Sequence, residues 1–377
     1  MRRVGERGQN QWERITWDEA ITEIATKLIE IDEKYGSECV AVSTGGGGNP
    51  HFSNVKRFGE AINTPNVWEP GCAQCYLPRM GASQLSNGMG KPNNLSFSDS
   101  NGWDYYFTDS PVDSLVLWGT DPANSSVATG GRALAELRAR EQGLKTVVID
   151  PRMTMDAAKA DVWLPVIPGK DAELAFAMMS WIIANERYDA AYLSAPSKKA
   201  AAALGEPTWS DATHLVAVDL PNRPIVTAKV LGRAGEAGAN GEALADDARF
   251  VLVDGELTLA DAAEGAADLL VDAEIDIKGK PARVKSVFQL LKERVEERTL
   301  EEYAADAGIE PSVVEEVARE FTSHGKRACV MSYRGPAMHA NGFDAVRAVG
   351  YLNFLIGNHD WKGGHIAAAA KFAPFEG

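Results

Sequence analysis

The sequence predicts a doubly wound α/β fold with mostly parallel, buried strands. Residues 114–171 carry the three observations behind this. Leu115, Val116, Leu117 and Trp118 form a short apolar run that stops at Gly119. After a polar loop over 120–126, Leu134, Leu137 and Leu144 recur at helical spacing, with Arg132, Glu136, Arg138, Arg140 and Glu141 on the other faces. Two further apolar runs follow, 146–149 ending in Asp150-Pro151 and 162–164 ending in Pro165. Short apolar runs alternating with a helix are the pattern of βαβ units.

In such sheets ligands bind at the carboxyl ends of the strands. Those ends are Gly119, Asp150 and the turn Pro168-Gly169-Lys170-Asp171. Gly119 allows a tight turn beside a ligand. Asn124, Ser125 and Ser126 put short donors near a helix N-terminus, where phosphate oxygens are welcome. Asp150 is placed to accept ribose hydroxyls. Two readings stand here, a nucleotide crevice and an ordinary buried core, because no GxGxxG is present.

Before this stretch, residues 17–35 read as a helix. Thr16-Trp17-Asp18-Glu19 is a capping box and Gly36 a stop. Its apolar stripe, Ile21, Ile24, Ala25, Leu28 and Ile31, is expected to face the core. A strand over 40–43 runs into Gly45-Gly46-Gly47-Gly48, either a close backbone approach to a ligand or a flexible loop. A helix over 54–62 follows. Cys72 and Cys75 form a CxxC, but Cys39 and Cys329 are isolated and no HxxxH exists, so zinc is disfavoured. One thiolate serving as a soft ligand to a heavier metal fits better; two buried structural cysteines are the alternative.

After the stretch, residues 171–184 read as an apolar helix. Residues 195–285 read as an insertion, with a strand over 215–218 and a glycine-rich mobile loop over 232–241; His214 reads as a satisfied loop histidine. Helices are expected over 284–295 and over 300–307, the latter with a capping box at Thr299. Another runs over 312–321, with Pro311 at its start. A strand over 329–331 leads into Tyr333-Arg334-Gly335-Pro336-Ala337-Met338-His339-Ala340-Asn341-Gly342. Arg334, His339 and Asn341 are donors suited to an anionic or heterocyclic ligand, a reading favoured over a loop salt bridge. A buried helix over 343–356 closes the reading.

Across 377 residues, hydrophobic residues make up 45% and charged residues 24%, a globular composition. A net charge of −15 argues against nucleic acid as a partner. No apolar run is long enough to cross a bilayer, and no signal peptide is evident. Both ends look like the interior of a longer chain.

The chain resembles the molybdopterin oxidoreductases of the dimethyl sulfoxide reductase family. The resemblance rests on RVGERGQNQWERITWDEA, LWGTDPANS, VVIDPR, DVWLPVIPGKDAELA and LNFLIGNHDWKGG, in that order. EPTWSDATHLV, REFTSHGKRA and RGPAMHANGF make it most similar to the tetrathionate reductase branch, with arsenate, polysulfide and thiosulfate reductases next. The resemblance implies the family's domains II and III: residues 1–74 with 325–377 near the pterin, and 75–324 as a Rossmann-like domain for the guanine dinucleotide.

It implies molybdenum, with tungsten possible, held by two molybdopterin guanine dinucleotides, and Cys75 as the metal's thiolate ligand. Cys72 is the fallback. Gly119, Asn124, Asp150, Gly169 and Asp171 would hold a dinucleotide tail. Arg334, Gly335, His339 and Asn341 would lie near pterin and metal, with Arg334 and His339 in catalytic roles. Arg79 and Arg334 are candidate cations for a small inorganic anion substrate. The resemblance further implies a [4Fe–4S] cluster in the full-length protein, whose ligands are absent here. Two partners are implied, an iron–sulfur electron-transfer subunit and a membrane anchor subunit. So are an extracytoplasmic, membrane-associated location and a role in anaerobic respiration. A cofactor-binding fragment without turnover is the alternative.

Overall fold

The computed structural model describes residues 1–44, 50–68, 77–87, 93–94, 112–124, 132–238, 241–359, 361, 364 and 368–369. The chain forms two compact units, Met1–Tyr76 and Leu77–Gly377.

In the first unit, α1 (Trp17–Tyr35) begins at the expected capping box: Thr16 accepts from the Glu19 N–H, and Glu19 accepts from the Thr16 N–H. α2 spans Pro50–Ala61. The apolar stripe of α1 does not face a core. Ile21 and Ile24 are each 61% exposed and no residue of the helix is buried. The described strands of this unit are two residues long and offer no apolar sheet to receive it.

The second unit is built on a parallel sheet. β1 (Ser114–Trp118) leads to α3 (Arg132–Glu141), β2 (Lys145–Ile149) and β3 (Val162–Leu164). α4 is Asp171–Ala184. The strands β4 (Leu215–Ala217), β5 (Phe250–Val253), β6 (Glu256–Leu259), β7 (Asp272–Ile277) and β8 (Lys280–Ser286) follow. Then come α5 (Val287–Val295), α6 (Leu300–Ala307), α7 (Pro311–Ser323), β9 (Ala328–Ser332) and α8 (Gly342–Leu355).

The sheet order is β9-β1-β2-β3, all parallel. Alternation along each strand divides the core in two. Val116, Trp118, Val147, Ile149 and Val330 face α4, α6, α7 and α8, whereas Leu115, Leu117, Val148, Cys329 and Met331 face Ala139 of α3 and Leu144. Burial on both faces explains why these strands read as continuous apolar runs.

Three expectations change. Residues 325–377 were expected to join 1–74; instead β9 pairs with β1 through an in-register parallel ladder, which places it in the second unit. The helix expected from 284 begins at Val287, because 280–286 pairs with β7 and β4 as a strand and Ser286 caps the helix through the Gln289 N–H. The expected mobile loop over 232–241 has, in its described part, hairpin-like hydrogen bonds from the Gly235 N–H to Leu244 O and from the Leu244 N–H to Glu236 O. The segment around it has its own core of Leu215, Phe250, Leu252, Ile277 and Val284.

β9 is an edge strand, and its outer side is closed by a side chain. Asn353 on α8 accepts from the Val330 N–H at 2.9 Å and donates to Val330 O at 2.8 Å, as a neighbouring strand would. Asn358 donates to Ala328 O and to Asn353 Oδ1. Asn353→Ala leaves two buried backbone groups without partners and should cost roughly 1–3 kcal/mol for each, read as a lower urea midpoint.

Candidate functional site

The carboxyl ends of β1 and β9 adjoin, and the chain turns sharply at both. Gly119 has φ +61°. A Cβ there would lie 2.6 Å from Gly335 Cα, and a Cβ on Gly335 would lie 2.4 Å from Gly119 Cα. The Gly335 N–H donates to Gly119 O at 3.0 Å, and the Gly119 N–H donates to Ile149 O at 2.8 Å. Gly119 was expected to turn beside a ligand. Its missing side chain makes room for the chain itself, and both its polar backbone groups are used within the fold.

This contact gathers the other residues. Tyr333, Arg334 and Pro336 surround Gly335 in sequence, and the loop continues to His339 and Asn341. Asn341 Nδ2 donates to Gly169 O at 3.0 Å. Gly169 has φ +83°, and a Cβ on it would meet the His339 ring at 3.7 Å. Asp171, two residues on, starts α4 and is only 4% exposed. The indole N–H of Trp118 donates to Asp171 Oδ1 at 2.8 Å. Burial raises the Asp171 carboxyl above the ordinary carboxylate range, while the Trp118 hydrogen bond and the nearby His339 act against that. Gly119, Gly169, Asp171, Arg334, Gly335, His339 and Asn341 are thus drawn together at one edge of the sheet.

Asp150 and Asn124 lie at the next strand end. Asp150 accepts from the Arg152 N–H at 2.9 Å and its carbonyl accepts from the Trp163 indole at 2.8 Å. Burial raises its pKa too. Asn124 is exposed, and its N–H donates to Asp121 O. Ser125, Ser126, Gly45–Gly48, Cys72 and Cys75 lie outside the described residues.

Three features went unread in the sequence. The first is Trp118 as the partner of Asp171. Its position at a strand end was noted, but a donor at the tip of a buried indole shows only when its acceptor is in place.

The second is a set of buried carboxyls, Asp121, Glu136 and Asp156, beside the turn after β1. Helical spacing on α3 favoured Leu137 as the inward residue. Leu137 is 50% exposed, and Glu136 faces in, paired with Arg140. Asp156 is within hydrogen-bond reach of Glu136 and Asp121 and accepts from the Ala123 N–H at 3.2 Å. Its pKa is pushed up to about 8, first by burial and then by the Glu136 charge.

The third is Tyr333. The Arg79 guanidinium lies 4.6 Å from its ring centroid and the Arg334 guanidinium 5.5 Å.

The described residues form no group of three or more His, Cys, Asp or Glu arranged to hold a metal ion. His214 is satisfied: Nε2 lies 3.0 Å from Pro196 O and Nδ1 lies 3.3 Å from an Arg249 nitrogen, with burial lowering its pKa.

A parallel α/β sheet with polar groups converging at its carboxyl edge defines a class of ligand-binding fold. Comparison with known proteins then identifies the family. The molybdopterin oxidoreductase model matches residues 1–374, and the chain belongs to that family. A tetrathionate reductase subunit of Salmonella typhimurium is 31% identical over 407 aligned residues, covering 99% of this chain and 38% of its own length. A selenate reductase subunit of Mesobacillus selenatarsenatis is 39% identical over 222, covering 59% of this chain and 20% of its own. Acetylene hydratase from Pelobacter acetylenicus shares the fold, with a TM-score of 0.52 and 21% identity over 97% of this chain and 36% of that one. This chain therefore spans well under half the length of these relatives. The family fixes the fold class as α/β with mostly parallel sheets.

The family implies a molybdenum–molybdopterin cofactor. The polar groups at the sheet edge fit such a phosphate-bearing group: Asp150 and Asp171 are buried acceptors, and Arg334 and His339 carry donors of the kind phosphate oxygens accept.

Two outcomes follow. Trp118→Phe should lower stability by about 2 kcal/mol in chemical denaturation, and adding Asp171→Asn should cost little more, because the orphaned charge is then gone. Asp156 holds a proton in the folded state between the ordinary carboxylate range and about 8. Its stabilising contribution is complete at low pH and is lost as pH rises through that window. The stability of Asp156→Asn relative to wild type should therefore climb from pH 4 to about pH 8 and then level off.

Proposed function

We propose that this chain is the cofactor-holding part of a molybdenum reductase acting on an oxidised sulfur anion of the tetrathionate kind. The observation that carries this is the pairing of carboxylates and guanidiniums at one edge of the sheet. Asp150 and Asp171 offer acceptors for a dinucleotide, and Arg79 with Arg334 offer cations for an anion. Two relatives are named for the reduction of oxidised sulfur and selenium anions, tetrathionate and selenate, which supports an anionic substrate of that class.

In this reading the cofactor is bis(molybdopterin guanine dinucleotide), with molybdenum or tungsten held by Cys75. When bound, the centre supplies the two-electron chemistry. The chain's own residues bind, orient and balance charge. Reducing tetrathionate splits its central S–S bond and adds two negative charges, which the two arginines offset. His339, beside Gly169 and near the Asp171 charge, is positioned to donate a hydrogen bond to an anionic oxygen. The electrons come from an iron–sulfur partner through a [4Fe–4S] cluster in the full-length protein, with a membrane anchor outside the cytoplasm.

The test is metal and pterin analysis of protein purified anaerobically: molybdenum and tungsten by mass spectrometry, and GMP released on hydrolysis. Metal with about two GMP per chain supports the reading; a chain without metal or GMP, both alone and within the full-length protein, refutes it. In the full-length protein Cys75→Ala should abolish turnover, while Cys72→Ala should retain it. The reverse result moves the ligand to Cys72.

A further inference from the structure

Three carboxyl side chains meet beneath the turn that follows β1. Asp156 is 2% exposed, Glu136 3% and Asp121 7%. They come from three places: Asp121 from that turn, Glu136 from α3 and Asp156 from the turn after β2. Asp156 Oδ2 accepts from the Ala123 N–H at 3.2 Å, which ties the two turns together. The same carboxyl is within hydrogen-bond reach of Glu136 and Asp121.

Arg140 stands beside them. Its guanidinium donates to Glu136 Oε1 and to Lys159 O, so it serves one carboxyl oxygen and the backbone beyond Asp156. Glu136 Oε2 is buried, and among the described residues no N–H or hydroxyl donor meets it. A buried carboxylate oxygen left without a donor is costly. The Asp156 carboxyl can relieve that cost in one form, as an acid whose O–H donates to Glu136 Oε2. Burial first, and then the Glu136 charge, favour the acid and hold its proton up to about 8.

α3 has few other holds on the sheet. Of its side chains from 136 to 141, Glu136 and Ala139 are the buried ones, and Leu137 is half exposed. The turn that carries Asp156 is tied down internally: the Arg152 N–H donates to Asp150, the Ala157 N–H to Thr154 Oγ1 and the Lys159 N–H to Asp156 O. The helix is therefore the element that yields when the contact weakens.

We propose that the Asp156 carboxyl, protonated and donating to Glu136 Oε2, is a pH-sensitive latch that closes α3 onto the turns after β1 and β2. The charged groups around it are Asp121 on the first turn, Glu136 and Arg140 on α3, and Asp150 with Arg152 in its own turn. When α3 lifts away, Asp156 meets water and titrates in the ordinary carboxylate range. When α3 is closed, the proton stays on up to about 8. Opening thus releases one proton between those limits. The latch is at full strength in acid, weakens as pH rises through that window and has nothing further to lose above it.

The test is amide hydrogen exchange of the whole chain, read by mass spectrometry on peptides covering 132–141 and corrected for the intrinsic pH dependence of exchange. In wild type the protection of these amides should fall about tenfold per pH unit from about pH 5 to about 8, then level off. Asp156→Asn keeps an acceptor for Ala123 and gives Glu136 a donor that does not titrate, so its protection should be flat over the same range. Glu136→Gln places a fixed donor on the other side of the contact and should also be flat; it carries the test if Asp156→Asn does not fold.

Flat protection in wild type overturns the proposal. So does a wild-type slope that persists in either folded variant, since another group would then be the one titrating. The latch is independent of the reductase reading: a titrating α3 in a chain without molybdenum or GMP leaves it standing, and a flat α3 in a chain holding both removes it alone.

Discussion

Gly119 and Gly335 meet backbone to backbone at the carboxyl ends of two neighbouring parallel strands, and the candidate site hangs from that contact. Neither position tolerates a Cβ without moving backbone. A shift of β9 against β1 would carry Tyr333, Arg334, His339 and Asn341 away from Gly169 and Asp171, which are delivered from the other side of the sheet. The close approach is possible because β9 is held on both flanks. β1 supplies the ladder on one side, and the Asn353 amide imitates a strand on the other. An edge strand closed by a buried side chain cannot slip in register without orphaning backbone groups.

Around that contact the molecule separates its charges. Carboxyls lie at the β1 and β2 ends and beneath the following turn; guanidiniums lie over the β9 end. With a net charge of −15 the chain as a whole repels anions, so any anionic ligand would have to be recognised by local groups. Charges at the buried carboxyls are less screened than those at the surface. The same burial explains why Asp150, Asp156 and Asp171 all have raised pKa values.

The exposed stripe of α1 has the same cause in reverse. Its spacing is that of a core-facing helix, and its cap is intact, yet the described part of its unit has no apolar sheet of useful length. Periodicity states which face is apolar; it does not state what covers that face.

The sequence by itself determined the elements whose signals are local. The capping boxes at Thr16 and Thr299, the helix Asp171–Ala184, the proline-initiated helix at Pro311 and the strand runs ending at Gly119, Asp150 and Pro165 all depend on neighbours a few residues away. The doubly wound class follows from their alternation, and the family from whole phrases in order. Tertiary structure decided what depends on distant partners. It placed Ala328–Ser332 in the main sheet, turned Glu136 inward in place of Leu137, gave Gly119 to Gly335 and brought Arg79 onto the ring of Tyr333. These contacts join residues more than two hundred positions apart or oppose the local pattern. A hydrogen bond or a stacked ring leaves no trace in spacing; it exists only once the chain has closed on itself.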